Sequence, residues 1–215
     1  ERIVTCPLVE DINKIPLPAW DMIDMYDYVK MGTNAVIGPT PNNNEGKILS
    51  ARGCPFDCGF CAQAAVSKRR MRYKTVERVI EEIKFLNSRY GCDRIYFNDD
   101  TFIVDDKRVV ELCTALKKIH EQGILYDWHC LTRADRTDPE LFRIMYESGC
   151  RQVTYGIETG SQKILDIIKK QTTVEENYNA IKIAREVGIK VRAQMIVGLP
   201  GETQETVEET AEFLR

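Results

Sequence analysis

From Lys47 onward the chain alternates short apolar runs with longer amphipathic stretches, a rhythm that predicts strands joined by helical crossovers in a parallel sheet. The apolar runs cover residues 47–51, 94–98, 126–131, 152–157 and 190–197, which gives five strands. Between the first two, Val76, Val79, Ile80, Ile83 and Leu86 recur at helical spacing and share one face. Gly91 stands where the end of that helix wants a left-handed residue. Asp138-Pro139 opens a further helix that Gly149 closes, and Thr173 with Glu176 forms a candidate capping box for the next. Gly188 ends that one and Thr203 starts the last, so the fourth strand is followed by an additional helix.

Right-handed crossovers curl such a sheet, and five strands are too few for an eight-stranded barrel. The expected fold is therefore α/β, a partial (open) parallel β/α barrel of about five units. Residues 1–46 read differently, because Pro16, Pro18, Pro39 and Pro41 interrupt any long regular element. They are expected to form an irregular N-terminal extension or connector, with the core domain at 47–215. The chain opens on Glu1 and ends at Arg215 within a helical pattern, so truncation is expected, above all at the C-terminal end. In this architecture active residues gather at the carboxyl ends of the strands.

Composition keeps the picture of one globular domain: 215 residues, 43% hydrophobic and 29% charged. A net charge of −3 gives no electrostatic footprint for nucleic acid. Lys68, Arg69, Arg70, Arg72 and Lys74 form a local basic run that either meets phosphates or lies solvated. No apolar stretch approaches the roughly 20 residues a membrane span requires, and no signal-peptide pattern opens the chain. A cytoplasmic protein is the expectation.

Three of the eight cysteines are bunched, and Cys6, Cys92, Cys113, Cys130 and Cys150 are scattered. Without secretory signals this distribution favours metal or redox chemistry over disulfides, and the scattered thiols serve as small core residues. Cys113 fits a helix-period pattern beside Leu112 and Leu116. The bunched set lies in Arg52-Gly53-Cys54-Pro55-Phe56-Asp57-Cys58-Gly59-Phe60-Cys61, directly after the first strand. Its Gly and Pro positions let Cys54, Cys58 and Cys61 converge on one soft-metal centre. Three ligands leave one iron of a four-iron, four-sulfur (4Fe-4S) cluster open to another molecule. Zinc is the alternative, but it wants four protein ligands, and neither His120 nor His129 lies in the loop.

The CxxxCxxC spacing with an aromatic before the third cysteine resembles the radical S-adenosylmethionine (SAM) superfamily, from about Lys47 to Arg215. Three later segments carry the resemblance further: Tyr96-Phe97-Asn98-Asp99-Asp100-Thr101-Phe102, Tyr155-Gly156-Ile157-Glu158-Thr159-Gly160-Ser161 and Ile196-Val197-Gly198-Leu199-Pro200-Gly201-Glu202. They resemble the second-, fourth- and fifth-strand motifs of the branch that includes cobalamin-dependent enzymes and methylthiotransferases. Ile15-Pro16-Leu17-Pro18-Ala19-Trp20-Asp21 is similar to the connector after a cobalamin-binding domain, which favours the cobalamin branch.

The resemblance implies a partial barrel of six units, a 4Fe-4S cluster, SAM, and cobalamin held by a domain outside this chain. It implies one-electron cleavage of SAM to methionine and a 5′-deoxyadenosyl radical that abstracts hydrogen from a small-molecule substrate. An external electron donor such as flavodoxin or ferredoxin follows from that chemistry.

By the same resemblance Phe60 packs near adenine, unless it is a core phenylalanine. One of Asn98, Asp99 and Asp100 binds the methionine amino group, unless the two acids cap a helix. Glu158 contacts the ribose; Ser161 shares that work or caps the next helix. Ile196, Gly198 and Leu199 are expected to bind the cofactor; Gly198 and Gly201 let the backbone approach adenine closely, although a strand-to-helix turn accounts for both glycines as well. Arg133 and Arg192 are candidate partners of the SAM carboxylate. No catalytic residue is assigned. The competing functions are a methylthiotransferase and a non-catalytic iron-sulfur or zinc module.

Overall fold

The computed structural model describes residues 7–30 and 40–215; Cys6 and Pro39 lie outside them. A short helix, α1 (Met25–Lys30), precedes β1 (Glu45–Ile48) and β2 (Ala51–Arg52). Then come α2 (Gln63–Ser67), β3 (Arg72–Tyr73), α3 (Val76–Tyr90), β4 (Arg94–Phe97), α4 (Asp106–Glu121) and β5 (Asp127–Thr132). The chain continues through α5 (Pro139–Glu147), β6 (Cys150–Glu158), α6 (Gln162–Ile167), α7 (Val174–Val187), β7 (Lys190–Met195) and α8 (Gln204–Phe213). Strands β1, β4, β5, β6 and β7 form one parallel sheet in that order, with β1 and β7 as its two edges. The open, partial barrel expected from the rhythm of the chain is the observed architecture.

The outer face of the sheet meets the helices and carries the core. Ile48, Ile95, Phe97, Trp128, Cys130, Val153 and Tyr155 are buried there against Val79, Ile83 and Leu86 of α3 and Leu112, Cys113 and Leu116 of α4. Each large apolar side chain so buried contributes about 1.5–3 kcal/mol relative to exposure. The helix ends use the signals anticipated above. Gly91 and Gly188 stand at positive φ after α3 and α7, and Thr173 and Glu176 complete a reciprocal capping box.

The inner face is polar. His129 Nε2 lies 2.9 Å from Glu45 Oε2, and Arg94 grips Asp127 through Nε and Nη2 at 2.5 and 2.6 Å, all four residues buried. The Tyr96 ring stacks on His129 with centroids 4.6 Å apart. Side chains on this face alternate with the apolar ones because strand side chains point to opposite faces.

Strand boundaries differ from the expectation by one to three residues, most tellingly in the first strand. The first strand begins at Glu45, two residues early, because Gly46 lets α3 close onto β1: a Cβ there would stand 3.0 Å from Leu86 Cδ1 and 3.1 Å from Ile95 Cδ1. The same strand stops at Ile48, since Asp99 takes the backbone N–H of Ser50 at 2.6 Å, and Ala51–Arg52 pairs antiparallel with Arg72–Tyr73 instead. The extension is not wholly irregular either. Single 3-10 turns at Ile12–Lys14 and Trp20–Met22 precede α1, and Trp20 stacks on Phe85 of α3 at 5.6 Å.

Most of the basic run is spent on this packing. Arg70 pairs with Glu10, Arg72 donates to the Val9 carbonyl, and Lys74 pairs with the buried Glu82. Among the described residues no helix is long and apolar enough to cross a membrane.

Gly46→Val should overpack the α3–β1 contact and lower the free energy of unfolding by about 1–3 kcal/mol in urea titration. An unchanged midpoint and slope would show that α3 can back away from β1.

Candidate active site at the cysteine loop

The cysteine loop leaves β2 through Gly53, whose φ of +104° and lack of Cβ are both required, since a Cβ would fall 2.0 Å from the Arg70 carbonyl oxygen. Asp100 Oδ2 accepts from Gly53 N at 3.0 Å and fixes the start of the loop. The far side is latched by Gly59 N, which donates to the Ile168 carbonyl at 2.7 Å. Cys54 and Cys58 are half-buried and Cys61 is exposed, just ahead of α2. Burial raises the Cys54 thiol above its usual value; the Phe56 backbone opposes this, and the charges of Cys58, Asp100 and Cys61 add to the rise. The three thiols thus share one electrostatic neighbourhood.

Their soft sulfur donors suit an iron-sulfur cluster with one iron left free of cysteine. Zinc fits less well, because His129 is held by Glu45 inside the barrel and His120 by the Leu125 carbonyl. Among the described residues no three His, Cys, Asp or Glu side chains are gathered closely enough to hold an ion as they stand.

The strand ends around the loop hold the other candidates. Asp99 is buried and accepts from Ser50 N and Oγ and from Ala51 N, so it braces the end of β1. The helix cap in this region is Asp105, not Asp99 or Asp100. Asn98 is exposed and lines a cavity of about 570 Å³ with Lys47, Arg52 and the connector residues Ile15 and Leu17.

Glu158 ends β6 at φ +67° beside a register shift, and its Oε1 accepts from Lys170 Nζ at 2.6 Å. Its Oε2 makes no hydrogen bond among the described residues. The same Lys170 ammonium stands 5.6 Å from the Phe60 ring centroid, and Phe60 is 38% exposed rather than a core residue. Ser161 occupies the N-cap of α6 without capping it, and its buried hydroxyl has no partner among the described residues.

Ile196 donates its N–H to the Glu158 carbonyl, while Leu199 is buried on Ile164 and Ile168. Gly198 lies between them at φ +89° with open space where a Cβ would go. Arg192 is exposed on β7, within electrostatic reach of Tyr96. Arg133 is buried with its guanidinium directed at Asp135, the Lys170 and Gln171 carbonyls and Cys58 Sγ. Lys170, Asp135 and the Ile168 carbonyl carried no sequence signal. Lys169-Lys170 reads as an ordinary solvated pair.

An open parallel β/α barrel with a three-cysteine loop at the end of its first strand defines an enzyme class whose chemistry rests on strand ends. The model of the Radical SAM superfamily matches residues 48–214, and the chain belongs to that superfamily. The family implies a 4Fe-4S cluster and SAM. An uncharacterized methyltransferase of Pyrococcus horikoshii is 34% identical over 209 residues, 97% of this chain and 43% of the relative. The anaerobic magnesium-protoporphyrin IX monomethyl ester cyclase of Rubrivivax gelatinosus is 32% identical over 97% of this chain and 36% of its own length. The chain therefore spans less than half of either relative. The radical SAM methyltransferase TsrM of Kitasatospora setae, solved with cobalamin and a [4Fe-4S] cluster bound, superposes with a TM-score of 0.71. It shares 21% identity over 80% of this chain and 34% of TsrM, a likeness of fold.

Burial, opposed by the Ser50 and Ala51 hydrogen bonds, pushes Asp99 up to about 6. The unfolded chain therefore ionises first, near the usual value of about 4, and this group's stabilisation is lost as pH rises from about 4 to about 6. Asp99→Asn removes that titration. The unfolding free energy of wild type minus variant should fall across that window and level off above it; a difference flat from about pH 4 to 7 would refute the assignment.

Proposed function

We propose that residues 47–215 are the cluster- and SAM-binding core of a cobalamin-dependent radical SAM enzyme of the methyltransferase type. The observation that carries this reading is the loop holding Cys54, Cys58 and Cys61, fixed at Gly53 and Gly59, with both histidines held elsewhere among the described residues. Cys54, Cys58 and Cys61 would hold the cluster, which would supply the electron for reductive cleavage of SAM.

This chain's own residues bind and orient. Glu158 offers the oxygen that Lys170 leaves unbonded to the ribose hydroxyls, and the orphaned Ser161 hydroxyl lies three residues on. Phe60, Ile196, Gly198 and Leu199 make the adenine side. The exposed Asn98 and its backbone take the methionine amino group, since Asp99 and Asp100 are committed to Ser50, Ala51 and Gly53. By the resemblance Arg192, exposed on β7, is the candidate for the SAM carboxylate, and the Arg133 guanidinium serves Asp135 and two carbonyls.

Cobalamin enters through a domain outside residues 1–215, by similarity to the TsrM fold. The substrate is a small molecule, and an external one-electron donor such as flavodoxin or ferredoxin charges the cluster.

Anaerobic reconstitution should load about four irons per chain, and Cys58→Ala should lose them. Cys113→Ala, a core thiol of α4, should keep iron and SAM binding and cost about 1 kcal/mol of stability. Equal iron content and electron paramagnetic resonance signals in both variants would overturn the reading, as would stoichiometric zinc in place of iron.

A further inference from the structure

Arg133 offers the cysteine loop more than packing. Its Nη1 donates to Cys58 Sγ at 3.5 Å. The rest of the guanidinium is immobilised: Nε and Nη2 grip Asp135 at 2.8 and 3.1 Å, and Nη2 also reaches the Lys170 and Gln171 carbonyls at 2.7 and 3.1 Å. The Phe56 ring covers one face at 4.0 Å. Only 6% of the side chain is exposed, so the donor is shielded from water that would otherwise compete for the sulfur. Cys61 Sγ, by contrast, accepts from the backbone N–H of Gln63 at 3.4 Å.

We propose that Arg133 is a positioning residue whose N–H to the Cys58 sulfur raises the reduction potential of the cluster held by Cys54, Cys58 and Cys61. The inference rests on the cluster reading above. Reduction adds one electron to the iron-sulfur core and its thiolates, and hydrogen bonds and charge at the sulfurs set how readily it is accepted. A donor aimed at a ligand sulfur stabilises the electron-rich state more than the oxidised one. Asp135 plays the opposing part, since it orients the fork but neutralises its charge. The other charged groups nearby have partners of their own: Lys170 has Glu158, Asp57 has Arg69, Asp100 has the Gly53 N–H, and Glu176, which Arg133 also reaches electrostatically, has Thr172 and Thr173.

The test is a potentiometric titration, with dithionite as the electron source, of anaerobically reconstituted wild type, Arg133→Gln and Asp135→Asn, followed by electron paramagnetic resonance. Arg133→Gln should lower the equilibrium constant for one-electron reduction at least tenfold, a shift of about 59 mV to more negative potential. Asp135→Asn keeps the guanidinium and removes the neutralising charge, so its potential should move the opposite way, at least threefold in the same constant. A purely structural prop would alter iron content or melting temperature without opposed shifts in potential. Four irons in each protein with unchanged potentials overturns the proposal alone. If Arg133→Gln fails to hold a cluster, Asp135→Asn decides, and an unchanged or more negative potential there overturns it as well. Wild type that takes up no iron overturns the cluster reading itself.

Discussion

A loop of three cysteines has no fold of its own, and here its shape depends on being held from both ends and from behind. Asp100 fixes its entry at Gly53, the Ile168 carbonyl fixes Gly59, and Arg133 spans the gap from Cys58 to the carbonyls of Lys170 and Gln171. The return from β6 through α6 is therefore a structural wall of the cysteine loop, although more than a hundred residues separate them in sequence. Small displacements of α6 would move the sulfurs, and the packing of Ile164, Ile168 and Leu199 ties α6 in turn to the segment after β7.

The inner face of the sheet imposes a second constraint. An open barrel cannot fill its interior with apolar layers and still admit a cofactor and a substrate, and this one lines its base with Glu45, His129, Arg94 and Asp127. Buried ion pairs add little net stability over apolar replacements of similar volume, yet losing one partner costs about 3–5 kcal/mol. The arrangement thus acts mainly to fix strand positions beneath the site, leaving Tyr96 and Asn98 above it.

The parts of the fold legible in the sequence were those set by local rules. Helix caps at Thr173 and Gly188, the apolar face of α3 and the five-strand rhythm follow from neighbours within a few residues. The start of β1 was not legible, because Gly46 reads as a weak strand residue until Leu86 and Ile95 are seen pressing on it. The cysteine loop stood out by spacing, whereas its supports did not. Asp99 looked available for a ligand until Ser50 and Ala51 arrived from another strand to occupy it. Arg133 looked like an anion-binding arginine until Asp135 and two carbonyls took its donors. Long-range hydrogen bonds of this kind leave no periodic trace.

The backbone carries an independent mark of the same wall. Apart from Asn43, the described non-glycine residues at positive φ are Lys68, Arg69, Glu158, Lys169 and Gln171. The first two lie after α2, where the cysteine loop turns back, and the other three lie at the end of β6 and in the return that latches the loop. Left-handed conformations cost such residues about 1–2 kcal/mol each, so they persist only where surrounding contacts over-determine them. For Gln171 and Glu158 those contacts are the Arg133 hydrogen bond to the Gln171 carbonyl and the Lys170–Glu158 pair. Strain is thus gathered on the segments that flank and latch one loop, where buried charge-assisted hydrogen bonds offset part of it. A loop free to relax would place the strain nowhere in particular.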